Sequence, residues 1–219
     1  MAKLPISFDE HGLVPVVVQD HLTGEVRMVA FATTEAVRAT LTTGRATFWS
    51  RSRGELWEKG RTSGNSIAVR RVLVDCDADC LIYSSEPQGP SCHTGAASCF
   101  FQTIDNLELK QKSEEPQTIL ATVEAILEAR KQSTSASSYT KSLYDGGAPA
   151  IVAKLTEECA ELGRAVEAES DDRVVSEAAD VLYHVLVALR WRAIGFREVL
   201  AALAKRMGTS GHEEKARRK

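Results

Sequence analysis

A short stretch near the middle of the chain, Val72–Phe101, concentrates side chains that bind metal ions. It holds four of the five cysteines, three aspartates at alternate positions and a histidine next to a cysteine. Thiolates select zinc, whereas carboxylates select magnesium, manganese or calcium. The stretch therefore predicts two metal sites of different chemistry, close to each other.

The three aspartates, Asp75, Asp77 and Asp79, stand between two apolar runs, Val72–Val74 and Leu81–Tyr83. This pattern is typical of a strand, in which alternate side chains share a face, so we expect the three carboxylates to point the same way. Three neighbouring like charges repel one another, and a divalent cation would compensate them. The start of an EF-hand loop is excluded because Cys80 stands where that loop needs glycine.

The predicted zinc ligands are Cys76, Cys92 and Cys99. Their spacing is not that of the paired CxxC motifs in closed structural sites, and three protein ligands plus a water are typical of catalytic zinc. His93 could act as a general acid or base. The turn-like loop 89–95 is expected to bring Cys92 back towards Cys76. The alternative, a small buried apolar residue, is our interpretation for Cys80 and Cys159.

A segment rich in arginine precedes these residues and could bind a nucleotide. Arginine binds phosphate through two parallel hydrogen bonds, and an indole offers a face to a purine. The candidate substrate-binding residues are Trp49, Arg51, Arg53 and Lys59. A solvated basic edge above buried tryptophans is the alternative, and the neighbouring metal site favours substrate binding.

Two predicted helices in the second half carry carboxylates at helical spacing. The motifs are EExxE (Glu157, Glu158 and Glu161) and ExxD (Glu177 and Asp180). With 100° of rotation per residue, each helix has an apolar stripe that is expected to face the core, one from Ile151 to Val166 and one from Val174 to Leu189. On the first helix, Glu158 lies about 20° and Glu161 about 80° outside the edge of the stripe. Two facing helices that each carry a pair of carboxylates can form a site for a divalent metal ion. A magnesium ion that bridges two phosphates of a nucleotide would suit such a site. A solvated acidic face paired with Lys154 and Arg164 is the alternative.

The apolar pattern places these residues on two kinds of architecture. Residues 13–19 and 25–32 predict a β-hairpin, 34–41 a short helix capped by Thr33 or Thr34 and ended by Gly44, and 46–50 a further strand. The polar stretch 105–118 marks a boundary. Beyond it the apolar period becomes 3.6, with one helix from 119 that the Ser/Thr-rich loop 132–138 ends, and further helices near 148–168, 172–192 and 196–206. An α+β domain is therefore expected to precede an all-α helix bundle.

We accordingly divide the chain into a domain at 1–105, a linker at 106–116, a second domain at 117–208 and a disordered tail at 209–219. A net charge of −3, with 43% apolar and 26% charged residues, is typical of a soluble globular protein and gives no electrostatic signature for nucleic acid. No apolar run approaches the ~20 residues of a membrane span. Five cysteines without a secretion signal indicate a cytoplasmic protein.

Residues 8–104 resemble the phosphoribosyl-AMP cyclohydrolase family. The resemblance rests on the Val72–Phe101 segment, on FWSRSRGELWEKGRTSGN (Phe48–Asn65) and on GLVPVVVQDHLTGEVRMVAF in the predicted hairpin. It implies zinc at the three cysteines, magnesium at the three aspartates and a catalytic role for His93. It also implies an intertwined homodimer in which both subunits contribute cysteines to each zinc site. Arg61 and Ala32-Thr33 depart from the family pattern.

Residues 117–207 resemble phosphoribosyl-ATP pyrophosphohydrolase, one of the all-α, MazG-like nucleoside-triphosphate pyrophosphohydrolases. The resemblance rests on the segments SSYTKSL, KLTEECAE and EAADVLYHVLV and on the EExxE and ExxD motifs. The resemblance implies magnesium at Glu158, Glu161, Glu177 and Asp180, a water oriented or activated by Glu157, and phosphate contacts from Lys154 and the Ser138-Tyr139-Thr140 turn. Ala150, Thr156 and Cys159 depart from the family pattern.

Together the two resemblances imply a bifunctional hydrolase of histidine biosynthesis, dependent on Zn²⁺ and Mg²⁺. The second domain would hydrolyse phosphoribosyl-ATP to phosphoribosyl-AMP and pyrophosphate, and the first would open the purine ring of phosphoribosyl-AMP. Two alternatives stay open at this stage. One is a pyrophosphatase that removes aberrant nucleotides and carries a zinc module, and the other is a zinc-dependent interaction protein without enzymatic activity.

Overall fold

In a computed structural model, the described residues are 3–105, 107–111, 118–132 and 138–207. The chain divides into two units, Met1–Gln117 and Thr118–Lys219. The predicted disordered tail at 209–219 lies outside the described residues, as do residues 106 and 112–116 of the predicted linker. None of the described helices combines the length and the apolar character that crossing a membrane requires.

Alternating apolar residues build the main sheet of the first unit. Its strands are β1 (Val14–Asp20), β2 (Val26–Ala32), β3 (Thr47–Ser50), β4 (Glu55–Glu58), β5 (Ile67–Val74) and β6 (Leu81–Pro87), in the order β4-β3-β2-β1-β6-β5. The predicted hairpin is confirmed by the antiparallel pairing of β1 with β2, whereas β1 and β6 run parallel. In β1, every second residue from Val14 to Asp20 is buried, as a half-buried strand requires.

The helix of the first unit, α1 (Thr34–Thr43), lies where the sequence predicted it. Thr33 is the N-cap, and its hydroxyl accepts a hydrogen bond from the Ala36 amide at 3.3 Å. Gly44 ends the helix in the left-handed conformation that glycine adopts without steric cost. The helix contributes to an apolar core in which Phe48 stacks on Tyr83, with ring centroids 5.7 Å apart.

The three aspartates do not lie on a strand, and this part of the sequence prediction is wrong. Strand β5 ends at Val74, and residues 75–80 form the turn to β6. Asp75 stabilises this turn, because its carboxylate accepts a hydrogen bond from the Cys80 amide at 3.0 Å. Ala78 has a positive φ of 65°, which an extended strand does not allow. Like-charged aspartates disfavour pairing in a sheet and are better accommodated in a solvated turn.

A second, two-stranded sheet falls partly within the predicted linker. It consists of β7 (Gln102–Asp105) and β8 (Glu108–Gln111), paired antiparallel with Ile104 opposite Leu109. Both of these apolar side chains are exposed, as is Leu107 in the turn between the strands. Residues 107–111 thus form a regular hairpin with β7 and fall within the first unit.

Five helices make up the described part of the second unit. They are α2 (Ile119–Gln132), α3 (Tyr139–Asp145), α4 (Gly147–Ala168), α5 (Asp171–Trp191) and α6 (Phe196–Arg206). The sequence predicted four of them and interpreted residues 138–140 as a turn. Ser138 is instead the N-cap of α3, a helix of only two turns that is too short for a periodic apolar pattern. Gly147, at a φ of +65°, lets the chain change direction between α3 and α4.

The apolar stripes predicted for α4 and α5 coincide with the buried faces only in part. Helix α4 buries Ile151, Glu158 and Ala165, whereas Cys159 and Val166 are exposed. The core between the helices centres on Leu127, Leu143, Ile151, Leu186 and Val187. The buried face thus passes through Glu158 itself, so that this carboxylate points into the unit rather than along the edge of the stripe.

Candidate active sites

The turn between β5 and β6 brings three carboxylates together. One carboxylate oxygen from each of Asp75, Asp77 and Asp79 lies within 4.8 Å of the others, and all three residues are exposed. Repulsion from Asp77 and then from Asp75 raises the pKa of Asp79. A divalent cation would relieve this repulsion, and oxygen is the ligand that magnesium prefers. The donor set therefore fits magnesium.

Two of the three predicted zinc ligands lie near each other. The thiols of Cys92 and Cys99 interact with each other, with Cys92 buried and Cys99 exposed. Cys92 is held in a turn, because its amide donates to the Ala96 carbonyl at 3.1 Å. The Cys99 amide donates to the carbonyl of Arg27 on β2 at 2.9 Å, which ties the second thiol to the main sheet.

The surroundings of Cys92 favour a thiolate. Burial opposes ionisation, but hydrogen bonds from Thr94 and neighbouring groups outweigh it and lower the pKa of the Cys92 thiol. The Thr94 hydroxyl donates to the sulfur at 3.1 Å, and Nδ1 of His93 lies 3.8 Å from it. Desolvation and the nearby Cys92 thiolate raise the pKa of Cys99, while Lys59 acts in the opposite direction. Metal binding requires deprotonated thiols, so this site is prepared for it.

Cys76 does not join the other two thiols within one chain. It is exposed on the aspartate turn, where its sulfur lies 3.8 Å from Oδ1 of Asp77. Among the described residues, no cysteine belongs to a group of three ligand atoms within 4.8 Å of one another. The loop at 89–95 therefore does not return Cys92 to Cys76 as predicted, because it folds against β2 instead. The pair Cys92 and Cys99 fits zinc as two soft donors that need a further ligand from elsewhere.

The predicted substrate-binding residues line two adjoining clefts of the first unit. A cleft of about 610 Å³ is bordered by Arg53, Trp57, Lys59 and His93. A second cleft of about 390 Å³ shares Arg53 and Trp57 and adds Trp49 and Arg51. The Arg51 guanidinium lies over the Phe31 ring, 4.0 Å from its centroid. His93 thus lies at the junction of the thiol pair and the larger cleft, which is lined by three cationic side chains, two glutamates and the Trp57 indole.

Arg27 supports the thiol pair and was not singled out from the sequence. Its side chain is buried in β2, donates to the Ser91 hydroxyl at 3.3 Å and to the Gly89 carbonyl at 3.4 Å, and pairs with Glu25 at 3.2 Å. These contacts fasten the segment that leads into Cys92. The signal was present in the sequence, because an arginine within an apolar strand needs buried polar partners.

The second unit holds an acidic cluster between α4 and α5. Oxygens of Glu158, Glu177 and Asp180 lie within 4.8 Å of one another, and Glu158 and Glu177 are only 5% and 3% exposed. Two nearly buried carboxylates at this separation are costly without positive charge. Lys154 supplies part of it at 2.7 Å from Glu158, and Arg173 pairs with Glu177. The oxygen donors and their burial fit magnesium.

The remaining acidic residues of the motif lie outside this cluster. Glu161 pairs with Arg164 at 3.2 Å and is not among the three clustered carboxylates. Glu157 is largely exposed and pairs with Lys154 at 3.1 Å. A pair of hydrogen-bonded carboxylates raises the pKa of Lys154, with Glu158 the main contributor. Of the four predicted magnesium ligands, three therefore meet in the structure and Glu161 does not.

His184 connects the acidic cluster to α3, although the sequence analysis assigned it no role. It is buried, its Nδ1 lies 2.9 Å from the Asp180 carbonyl and 3.9 Å from Oε1 of Glu158, and its Nε2 lies 3.4 Å from the Tyr139 hydroxyl. Tyr139 is thereby held at the cluster, and Ser138 caps the helix that carries it. The spacing of Asp180 and His184, one helical turn apart, was the available signal.

Comparison with known proteins identifies both halves. Residues 28–101 match the family described as phosphoribosyl-AMP cyclohydrolase, and residues 120–207 match phosphoribosyl-ATP pyrophosphohydrolase. The chain is 38% identical to the histidine biosynthesis bifunctional protein HisIE of Wolinella succinogenes, over 98% of this chain and 96% of the relative. The proteins of the same name from Parasynechococcus marenigrum and Thermosynechococcus vestitus are 39% and 42% identical, over 93% and 92% of this chain and 93% and 94% of the relatives.

Proposed function

Because the chain belongs to the family of bifunctional histidine-biosynthesis hydrolases that join a phosphoribosyl-AMP cyclohydrolase to a phosphoribosyl-ATP pyrophosphohydrolase, we propose how its two units divide the reactions. The second unit hydrolyses phosphoribosyl-ATP to phosphoribosyl-AMP and pyrophosphate. The first unit opens the purine ring of phosphoribosyl-AMP. The observation that carries this proposal is that each unit has its own cluster of metal-binding side chains.

In the second unit, Glu158, Glu177 and Asp180 are the proposed magnesium ligands. Bound magnesium would neutralise the phosphates between which the bond breaks. Glu157, exposed beside the cluster, would orient the attacking water and accept its proton, and Lys154, Ser138 and Tyr139 would contact phosphate oxygens. Glu161 would have to leave Arg164 to become a fourth ligand. The MazG-like classification of this unit is part of the same proposal.

In the first unit, Cys92 and Cys99 are proposed to hold zinc together with Cys76, and Asp75, Asp77 and Asp79 to hold magnesium near the substrate phosphate. Bound zinc would lower the pKa of a water molecule to about 7. Water adds to C6 of the purine, the N1–C6 bond breaks and N1 gains a proton. His93, which is exposed and lines the large cleft, would transfer that proton.

The clefts around Trp57 are proposed to bind phosphoribosyl-AMP. Arg51, Arg53 and Lys59 provide the positive charge for its phosphates, and the indole of Trp49 provides a face for the purine. Arg61, which departs from the family pattern, lines the same large cleft and adds a further cation there.

The active protein is proposed to be an intertwined homodimer. Apolar side chains are exposed on both units: Val152 and Val166 on one face of α4, Val175 and Leu182 on one face of α5, and Ile104 in β7. A second copy would cover them, since apolar side chains exposed on one face of a helix are typical of an interface between subunits. It would also supply the ligand that the Cys92 and Cys99 pair lacks. The five unpaired cysteines agree with a proposed cytoplasmic location.

Coexpression of two inactive variants tests the shared zinc site. The Cys76→Ala and Cys92→Ala proteins should each lack ring-opening activity. Their mixed dimer has one intact site, because the Cys76→Ala copy supplies Cys92 and Cys99 and the Cys92→Ala copy supplies Cys76. Random pairing puts half of the chains into mixed dimers with one working site of two, so roughly a quarter of the wild-type activity should return. Zinc content per chain should recover in parallel. Mixed dimers that are isolated intact and remain inactive would refute a shared site.

A substrate comparison tests the assignment as a whole. With magnesium present, the protein should release pyrophosphate from phosphoribosyl-ATP with a kcat/KM at least about a hundredfold above that for dCTP or dUTP, because a site built for one nucleotide leaves polar groups unpaired with another. Ring opening of phosphoribosyl-AMP should stop when zinc is chelated. Preference for dCTP or dUTP would instead support the pyrophosphatase that removes aberrant nucleotides.

A further inference from the structure

Arg130, near the end of α2, has a fixed guanidinium that the reactions described above do not use. We propose that Arg130 is a further phosphate-binding residue of the second unit, where it would bind the pyrophosphate portion of the nucleotide at the acidic cluster. This inference rests on the proposed hydrolysis of phosphoribosyl-ATP by that cluster and deepens it.

The guanidinium is held in place by two hydroxyl groups. Nη1 of Arg130 donates to Oγ1 of Thr140 at 3.1 Å and to the Tyr183 hydroxyl at 2.9 Å, and these two oxygens lie 2.8 Å apart. Thr140 is buried in α3, and Tyr183 belongs to α5. Three helices thus fix one edge of an exposed arginine. Within the described residues, Nε and Nη2 make no hydrogen bond that would occupy the other edge.

Arg130 differs from several other arginines of the second unit in its partners. Arg164 pairs with Glu161, Arg173 with Glu177, and Arg190 with Glu128. Among the described residues, no carboxylate pairs with Arg130. Its hydroxyl partners are neutral, so its positive charge remains available to an anion. The planar fork of guanidinium donors matches two phosphate oxygens, and its orientation is already set, which reduces the entropy lost on binding.

A short chain of contacts links Arg130 to the acidic cluster. Its partner Tyr183 packs edge-on against the neighbouring His184 ring, with centroids 5.3 Å apart. Its other partner, Thr140, follows Tyr139, whose hydroxyl lies 3.4 Å from the same histidine. His184 in turn lies 3.9 Å from Glu158. Two side chains, Tyr183 and His184, therefore connect Arg130 to the metal ligands. A polyphosphate, which extends over several bonds, is the ligand that can use a divalent cation and a guanidinium together.

The test compares Arg130→Gln with Lys131→Gln, which makes the same charge change at the next residue. Lys131 donates to the Arg190 carbonyl, ten residues and about 15 Å along α5 from Asp180. In Arg130→Gln, the inhibition constant of inorganic pyrophosphate and the KM for phosphoribosyl-ATP should each rise about tenfold or more, with a smaller change in kcat. Arg130→Lys should recover part of the loss, and Lys131→Gln should leave both constants within about twofold of wild type.

A second measurement uses the unaltered protein and does not depend on how a variant folds. Pyrophosphate with magnesium should protect Arg130, but not Arg164, from modification by phenylglyoxal, as read by mass spectrometry. An unchanged inhibition constant in a folded Arg130→Gln protein, or the absence of protection, would overturn the inference. Neither result would touch the proposed hydrolysis, which fails only if the acidic cluster itself proves dispensable for pyrophosphate release.

Discussion

Replacement of Cys92 with alanine should abolish ring opening of phosphoribosyl-AMP and leave pyrophosphate release from phosphoribosyl-ATP unchanged. Cys92 is buried, which opposes ionisation, but hydrogen bonds to its sulfur lower the pKa of its thiol and favour the deprotonated form that zinc binds. Removal of a group that only orients a metal ligand lowers activity by up to about a hundredfold. Cys92 is itself a proposed ligand, so the rate of ring opening should fall by more than that. The measurement is the rate of each reaction on its own substrate, together with zinc per chain.

Cys80→Ala is the matched control for this prediction. It removes a thiol from the same unit, and the hydrogen bond that this sulfur makes goes to the Leu81 carbonyl, at 3.9 Å. Both reactions and the zinc content should stay at wild-type values. A Cys92→Ala protein that opens the ring normally would remove the thiol pair from the site. Loss of both reactions together, in a protein that remains folded, would contradict two independent active sites.

Replacement of Glu177 with alanine should have the opposite effect. Pyrophosphate release should fall by about a hundredfold or more, while ring opening persists. The reason is that the Glu177 carboxylate is buried in the cluster and would be a ligand of the magnesium ion. The fold should survive, since its partner Arg173 is 55% exposed and can be hydrated when released. The readouts are pyrophosphate release and magnesium binding to the second unit.

Glu169→Ala separates metal binding from the effect of releasing Arg173. Glu169 accepts a hydrogen bond from that arginine at 3.0 Å but lies outside the acidic cluster. Glu169→Ala should therefore keep the wild-type rate of pyrophosphate release. Equal losses in the two variants would attribute the effect to Arg173, and a normal rate in Glu177→Ala would exclude Glu177 from the site.

The residue types and the local apolar periods of the sequence were sufficient to predict most of the secondary structure. Alternation over 13–19 and 25–32 predicted the hairpin, Thr33 and Gly44 predicted the ends of α1, and a period of 3.6 predicted four helices of the second unit. These signals are local: a strand or helix repeats its burial within a few residues, and a cap acts on the turn beside it. Residue type likewise predicted zinc for the thiols and magnesium for the carboxylates, and these two assignments stay predictions.

The placement of remote residues was decided only by the tertiary structure. The aspartates converge through a turn, Glu158 faces the interior while Glu161 turns to Arg164, and Cys99 reaches Cys92 because β2 holds it by a backbone hydrogen bond. Each of these positions depends on where the chain reverses direction and on how two elements pack against each other. The apolar pattern within a single strand or helix contains no information on either. The separation of Cys76 from the other two thiols has the same origin, because the turn that carries it is fixed by where β5 ends and β6 begins.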